Sequence, residues 1–580
     1  MTPPSQGAYR RAVPKGAWLL AYALGYAIPA LAADVQVNGF TTGSQRVSSV
    51  AVDGNGNFVV AWTSDEPSQD GSDDAAVVRR VDASGVPLGG DIVANTYTTG
   101  PQYHTQVAAD GTGNFVVVWN SLGQDGASAG VFARRFDAGG LPLGGELQVN
   151  AVTTGAQNRP SVAVDAAGEF VIVWDTFDYI VGDDIIGRRY DSAGVPLGGE
   201  FQVNTTTTGN RLNAAVAMTA GGSFVVVWVG ATGITNVLGR RFDATGLPVG
   251  GEFQINAATS GSLNYPDVAI DAAGNFVVVW SSQEQDGVSI IGRRVQANGM
   301  PAGGEFQVTR VTSGNVFDPD VTMDASGDFL VVWQSSTSGA QGVVGQRFDA
   351  AGTRQGGEFQ LGADPGISPF APAVAMDSDG DFLAAWSDFD ASAHGVFAHL
   401  NKPDRIILGS RLNLRQATGG EPGRTAAITA TEVGTDIGHS IDGDPTVDGA
   451  TLRLILNGAT DTDQTYVLDS AGWVRNGPAS YRYLGPTGGD GDPVRRVVLR
   501  RTGAGKAFLK VLLNGRVGTQ SLDAVPPNPG DDGGIILQIG ALGGTYCASF
   551  GGPAGGVEQA DDASRWRITD PTAEAGCPSP

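Results

Sequence analysis

One apolar segment recurs seven times along this chain, and that recurrence limits the available folds more than any other feature. FVVAW ends at Trp62, FVVVW at Trp119, FVIVW at Trp174, FVVVW at Trp228 and again at Trp280, FLVVW at Trp333 and FLAAW at Trp386. Successive Trp residues lie 57, 55, 54, 52, 53 and 53 positions apart. A near-constant period of this size marks a repeat architecture: one supersecondary unit cannot bury its faces alone and stacks on its neighbours.

Each unit reads as four strands. In the third, Ser161 to Asp165 alternates and Ala166-Ala167-Gly168 turns the chain. Glu169 to Trp174 is β-branched and aromatic, as a buried strand requires. A polar loop leads to a strand over Ile185 to Asp191, a Gly/Pro turn over Ser192 to Gly199 and a last strand over Glu200 to Asn204. Four-stranded units stacked side by side close most simply into a β-propeller. The phase of the repeat supports closure. Asp34 to Asn38 (DVQVN) is of the fourth-strand type, and the seventh unit has no such strand after Leu400. The N-terminal strand is thus expected to complete the last blade and remove an exposed sheet edge.

The periodicity stops at Asn401 to Asp404. Beyond it, short alternating runs such as ATLRLILNG, PVRRVVLRR and AFLKVLLNG are separated by Gly, Pro and Asp clusters. That pattern reads as a β-sandwich. The expected fold is therefore all-β: a seven-bladed β-propeller over residues 33–404, followed by a β-sandwich over 405–580.

Residues 1–32 read as an export signal. Arg10, Arg11 and Lys15 precede an apolar run from Ala17 to Ile28, and Ala30-Leu31-Ala32 supplies small residues for cleavage before Ala33. The run is shorter than the ~20 residues a membrane span needs, and no second long apolar run follows. The mature protein is expected to have no membrane span and to be secreted, at the cell surface or in the periplasm, as a monomer. In an exported chain, Cys547 and Cys577, the only cysteines, most simply form one disulfide.

Charge and composition exclude some functions. The net charge of −24 argues against a nucleic-acid partner, which needs a basic footprint. Four His and two Cys exclude a His- or Cys-rich metal centre. Zincin and P-loop motifs are missing from the sequence. His104, His394, His399 and His439 are scattered, although a carboxylate-pair glycosidase would leave no linear signature.

The repeat core DxxGxFVVVW, with GRRFD and GGEFQVN downstream, resembles repeats of secreted or surface proteins of bacteria. The tail segment TYCASFGG with a later Cys resembles the C-terminal module of uncharacterised secreted proteobacterial proteins. The first resemblance covers residues 34–400 and the second roughly 440–580. Neither implies an activity, a cofactor or functional residues.

Within the repeat, four features invite a functional reading. Asp53, Asp110, Asp165, Asp271, Asp324 and Asp377, with Thr219 in the fourth unit, end the first strand. They either ring a cation or accept amides of their own turn. The pairs Arg79-Arg80, Arg134-Arg135, Arg188-Arg189, Arg240-Arg241 and Arg293-Arg294, with Gln346-Arg347 in the sixth unit, either ring an acidic glycan or are structural. Adjacent strand residues face opposite ways, so one of each pair is expected between blades and the other in solvent. The seven Trp residues are expected to be inter-blade framework rather than sugar platforms.

Fourth, the loops after each Trp vary in length and chemistry. Asp70, Asp73 and Asp74 are the best candidates for Ca²⁺, which favours oxygen-rich loops. Other acidic positions include Glu66, Asp178, Asp183, Asp184, Asp286, Asp442, Asp444, Asp448, Asp461 and Asp463. The functional expectation is a non-catalytic, adhesion-type protein presenting its propeller to a glycan or an extracellular protein. A glycan-active hydrolase or lyase, or a structural envelope protein, are the alternatives.

Overall fold

The structure is a computed structural model. It describes residues 34–401 except 66–69, 72, 178–182, 232–234, 258–260, 285–286, 311–314, 338–339, 363–368, 379 and 390–392. Beyond 404 it describes the strands given below, the strands Leu408–Arg415, Trp473–Arg475, Ser480–Leu484, Val557–Asp562 and Arg565–Thr569, two short helical segments (Pro445–Asp448 and Ser470–Gly472), and Asp469 and Asn476. The expected leader and Cys577, with the Cys547–Cys577 pairing, lie outside the described residues. So do Glu66, Asp178, Asp286, His439, Asp442, Asp444 and Asp461.

Seven antiparallel four-stranded sheets follow one another from Val35 to Asn401. Their inner strands are Gln45–Val52, Gln102–Ala109, Ala156–Val164, Asn210–Met218, Ser262–Ile270, Val316–Met323 and Phe370–Met376. Each contacts the next, and the last contacts the first, so they wall a central channel. We number the blades 1 to 7 by these strands. Blade 7 is completed by Val35–Gln36, which pairs antiparallel with His394–Asn401. The fold is a closed seven-bladed propeller, and the N-terminal strand supplies the seam, as the repeat phase requires.

Residues from Arg405 onward form two further sheets. One orders Arg405–Ile406, Thr545–Gly551, Asp532–Ile539, Ala450–Asn457 and Thr462–Leu468. The other has eight strands, with Val494–Arg501, Ala507–Asn514 and Thr425–Thr431 at its middle. Leu452, Leu454 and Leu537 from the first sheet share one apolar core with Ile428, Val497 and Val511 from the second. Alternate residues of both sheets face inward, which makes a sandwich.

Blade-to-blade packing explains the repeated residues. All seven Trp rings are almost fully buried. The Asp at each first turn accepts its own turn's amides: Asp53 Oδ1 takes those of Asn55 and Asn57 at 2.8 and 2.9 Å. In blade 4, the Thr219 hydroxyl bonds the Ser223 carbonyl.

The expectation for the Arg pairs needs correction, because both members bridge blades. The first donates backwards to the outer strand of the preceding blade: Arg79 to the Val37 carbonyl at 2.6 Å, Arg188 to Val149 at 2.8 Å and Arg240 to Val203 at 2.8 Å. The second donates forwards to a turn of the next blade: Arg80 to the Ala138 carbonyl at 2.6 Å and Arg294 to Ala350 at 2.7 Å. Adjacent residues do face opposite ways, but both faces of a blade are interfaces.

Blade 6 carries Gln346 in place of the first Arg. Arg354, on the neighbouring strand, takes over. It reaches the Gln307 carbonyl at 2.8 Å and lies 5.7 Å from the Phe348 ring centre, much as Arg188 lies 5.6 Å from the Tyr190 ring centre.

Candidate functional site

The bulges on the inner strands form the site candidate that the sequence did not reveal. In blades 2 to 7 two inner-strand residues oppose the single Trp of the second strand, as the register shifts at Tyr103/Gln106 and Asn158/Ser161 show. Such a bulge bends the strand and re-aims a side chain. The first bulged residue takes a left-handed conformation in all six blades: His104, Arg159, Asn213, Tyr265, Asp318 and Ala371, with φ between 48 and 57°. Non-glycine residues adopt this rarely, and strain of about 1 kcal/mol or more persists only where the surroundings impose it. In blades 3, 5, 6 and 7 the next residue is Pro160, Pro266, Pro319 or Pro372, so the second bulged residue has no amide to satisfy.

These six residues sit at equivalent heights near the start of the inner strand, beside the end of the second strand and the loops after Trp. They therefore ring one mouth of the channel. The framework around them is nearly uniform, yet the six side chains are a His, an Arg, an Asn, a Tyr, an Asp and an Ala. His104, Arg159 and Tyr265 are exposed.

In blades 2 and 3 the side chain that follows the Trp, Asn120 or Asp175, holds part of the ring in place. Asn120 Oδ1 accepts the Arg159 amide at 3.0 Å and meets His104 Nδ1 at 3.2 Å, while its Nδ2 donates to the Gln157 carbonyl at 2.7 Å. That last bond fixes the amide orientation, so His104 Nδ1 carries the hydrogen and Nε2 presents a lone pair. Crowding by neighbours lowers the His104 pKa first, the Asn120 bond opposes this, and Arg159 lowers it further. The Tyr103 ring packs edge-on to the His104 ring at 5.0 Å.

One blade on, Asp175 plays the part of Asn120. It accepts the Asn213 amide at 3.0 Å and pairs with Arg159 Nη1 at 3.2 Å. Burial pushes the Asp175 carboxyl up to about 6, against the Asn213 amide and the Arg159 charge, which lower it. Arg159 itself keeps 46% of its side chain in solvent.

Deeper along the inner strands, a second set of side chains stitches neighbours together. Ser161 Oγ accepts the Val216 amide at 3.2 Å, Asp267 Oδ2 the Val321 amide at 2.8 Å and Asp320 Oδ2 the Val374 amide at 2.6 Å. Asp267 and Asp320 also hydrogen-bond to each other, so they share a proton. Burial raises both pKa values, and the Asp267 charge adds to the rise at Asp320. Glycosidase carboxyls stand about 5–5.5 or 6.5–9.5 Å apart to admit a sugar or a water. A pair in hydrogen-bond contact, each member bound to the next blade's amide, is a stitch rather than that machinery.

The residues singled out in the sequence fall elsewhere. Asp73 is exposed, while Asp70 and Asp74 are half-buried. Asp70 Oδ2 accepts from Asn95 at 2.8 Å. Burial raises the Asp74 pKa, Arg46 opposes this, and Asp65, Asp73 and Asp70 raise it further. Among the described residues no group of three or more His, Cys, Asp or Glu side chains is arranged to hold a metal ion. His394 bonds Ser44 Oγ at 3.2 Å, and His399 pairs with Asp34 at 3.0 Å. Two clefts of about 340 Å³ open between blades 4 and 5 and between blades 2 and 3. They lie at equivalent places beside Arg241 and Arg135, at the far end of the inner strands from the ring, and so belong to the repeat framework.

No family model and no curated protein matches this chain. Several solved structures are similar to it. A protein of unknown function from Dyadobacter fermentans is 12% identical with a TM-score of 0.38, over 64% of this chain and 99% of that one. An ulvan lyase from a new family of polysaccharide lyases is 9% identical with a TM-score of 0.42, over 63% and 96%. The β-propeller domain of the Trilobed protease from Pyrococcus furiosus, with an open velcro topology, is 8% identical with a TM-score of 0.38, over 63% and 95%. These likenesses are too distant to add to the fold, which the sheet order and the seam pairing of this chain establish as a propeller.

Proposed function

We propose that this is an exported, monomeric binding protein that presents the ringed channel mouth to an extracellular glycan. The observation that carries the reading is the set of six equivalent bulge positions. They share one strained backbone conformation but differ in every side chain, on the face where the variable loops also emerge. Packing makes framework positions alike, and binding residues tend to lie on loops held by a rigid scaffold. An exposed Tyr265 offers an aromatic face, and His104, Arg159 and Asn213 offer polar groups. Export rests on the leader-like residues 1–32. Among the described residues no helix is long and apolar enough to cross a membrane.

The test is a binding and turnover screen of the processed protein against neutral, uronic-acid and sulfated polysaccharides, with and without Ca²⁺. Binding that Tyr265→Ala weakens at least ten-fold supports the mouth. Binding of no glycan, or binding untouched by changes at the ring, rejects it.

A second reading, a glycan lyase, has one observation in its favour. His104, uncharged at neutral pH with a free Nε2 lone pair, stands in the field of Arg159. β-Elimination from a uronate needs a base for the proton beside the carboxylate and a cation that stabilises the resulting charge. Unsaturated products in the turnover arm, absorbing in the near ultraviolet and lost in His104→Ala, favour this reading over binding alone.

A further inference from the structure

We propose that the blade 2–3 sector of the mouth is an oxyanion pole: Arg159 takes the acidic group of a saccharide, and His104 takes a hydroxyl of the same unit. This rests on the reading of the mouth as a glycan site and adds the class of glycan. Two geometric facts carry it.

First, Arg159 is placed by its backbone as well as by its side chain. Its left-handed bulge is held by the Asn120 Oδ1 bond to its amide, and one guanidinium nitrogen is held by Asp175. Its other guanidinium nitrogens have no partner among the described residues, and the side chain is nearly half exposed. A guanidinium anchored at one corner presents its remaining N–H groups as a fork for a carboxylate or sulfate.

Second, one side chain seats both groups: Asn120 Oδ1 meets His104 Nδ1 at 3.2 Å and accepts the Arg159 amide at 3.0 Å, so the two residues stand side by side on neighbouring inner strands. The Nε2 lone pair of His104 accepts a hydroxyl and does not compete for the anion. Elsewhere in the ring Asn213, Tyr265, Asp318 and Ala371 bring no further cation.

Each part of the pole can be removed with residues the repeat already uses. Blade 4 has Asn213 where blade 3 has Arg159, and blade 2 has Asn120 where blade 3 has Asp175. The double variant Arg159→Asn, Asp175→Asn tolerates the left-handed conformation, keeps the acceptor for the Asn213 amide and leaves no buried charge unpaired. Arg159→Lys keeps the charge and loses the fork.

The experiment is calorimetric titration of the processed full chain with hexagalacturonate, a sulfated galactan hexasaccharide and neutral galactan and xylan hexasaccharides. The parent, the double variant, Arg159→Lys and Tyr265→Ala are compared, and circular dichroism checks that each is folded. The parent is expected to bind one of the acidic probes at least ten-fold more tightly than either neutral one. The arm that binds tells carboxylate from sulfate. The double variant should lose that preference, and Arg159→Lys should lose most of it. Equal affinity of the parent for acidic and neutral probes overturns the pole, as does an acidic preference that survives in the folded double variant. If Tyr265→Ala still weakens neutral binding in that case, the mouth reading stands without the pole. Absence of binding to any probe removes both.

Discussion

Asn38 Oδ1 accepts the amide of Val396 at 2.8 Å, a bond between residues 358 positions apart. In blades 1 to 4 the matching Asn makes the same bond within its own blade, as Asn95 does to Ala76 and Asn204 to Ile185. Asn38 therefore does for blade 7 what that blade's own sequence lacks. It also donates to Phe40 and Gln45. Asn38→Ala leaves buried groups unpaired and is expected to cost about 1–3 kcal/mol, read as a lower denaturant midpoint. Deleting residues 34–38 should cost more and promote aggregation through the exposed edge of His394–Asn401. An unchanged midpoint in the deletion would contradict a closed ring.

The Asp267–Asp320 stitch predicts a pH dependence of definite sign. Both carboxyls, and Asp175, hold protons more tightly in the folded chain than in the unfolded one. Their contribution is complete below the ordinary carboxylate pKa of about 4 and is lost as pH rises through the raised values, which for Asp175 is about 6. Asp320→Asn keeps an acceptor for the Val374 amide and a donor for Asp267 but no longer titrates. Its melting temperature should vary less than the parent's between pH 5 and 8, and at pH 8 it should melt higher. A parallel pH profile in parent and variant would show that the pair does not share a proton.

Arg354 predicts a compensation between neighbouring strands. Arg354→Gln should destabilise the propeller by about 1–2 kcal/mol, through the lost bond to Gln307 and the lost contact with Phe348. Adding Gln346→Arg restores the residue that five other blades use at that place and should recover most of the loss. Chemical denaturation of the single and double variants measures it, and no recovery would mean that the two positions are not interchangeable.

The cysteine pair predicts an asymmetric response to reduction. Non-reducing peptide mapping should link Cys547 to Cys577, and reduction should destabilise only the sandwich, by about 2–4 kcal/mol. The propeller repeats contain no cysteine. Free thiols at both positions in exported protein would disprove the link.

Much of the architecture was legible because it is written in spacing. The Trp period, the alternation of EFQVN and the orphan DVQVN strand are one-dimensional facts. Burial of both faces of a four-stranded unit leaves few ways to satisfy them, so blade number and seam followed from the chain alone. The turn role of the Asp residues was legible for the same reason, since its partners lie within four positions.

The mouth was not legible in that way. Its residues come from six separated strands, and no local pattern says that His104 and Arg159 share Asn120. A faint signal existed, a Pro after the bulge in four repeats and a Trp always opposite it, but neither tells where the bulged side chain points. The Arg pairs failed for a related reason. Alternation along a strand was read correctly, yet which face meets water is decided by what stacks against each face, and here both meet another blade. The proton shared by Asp267 and Asp320 depends on two side chains meeting 53 residues apart and on the burial that surrounds them. Sequence fixes what recurs along one chain, whereas contacts between strands far apart in it, and the electrostatics they create, are set only when the ring closes.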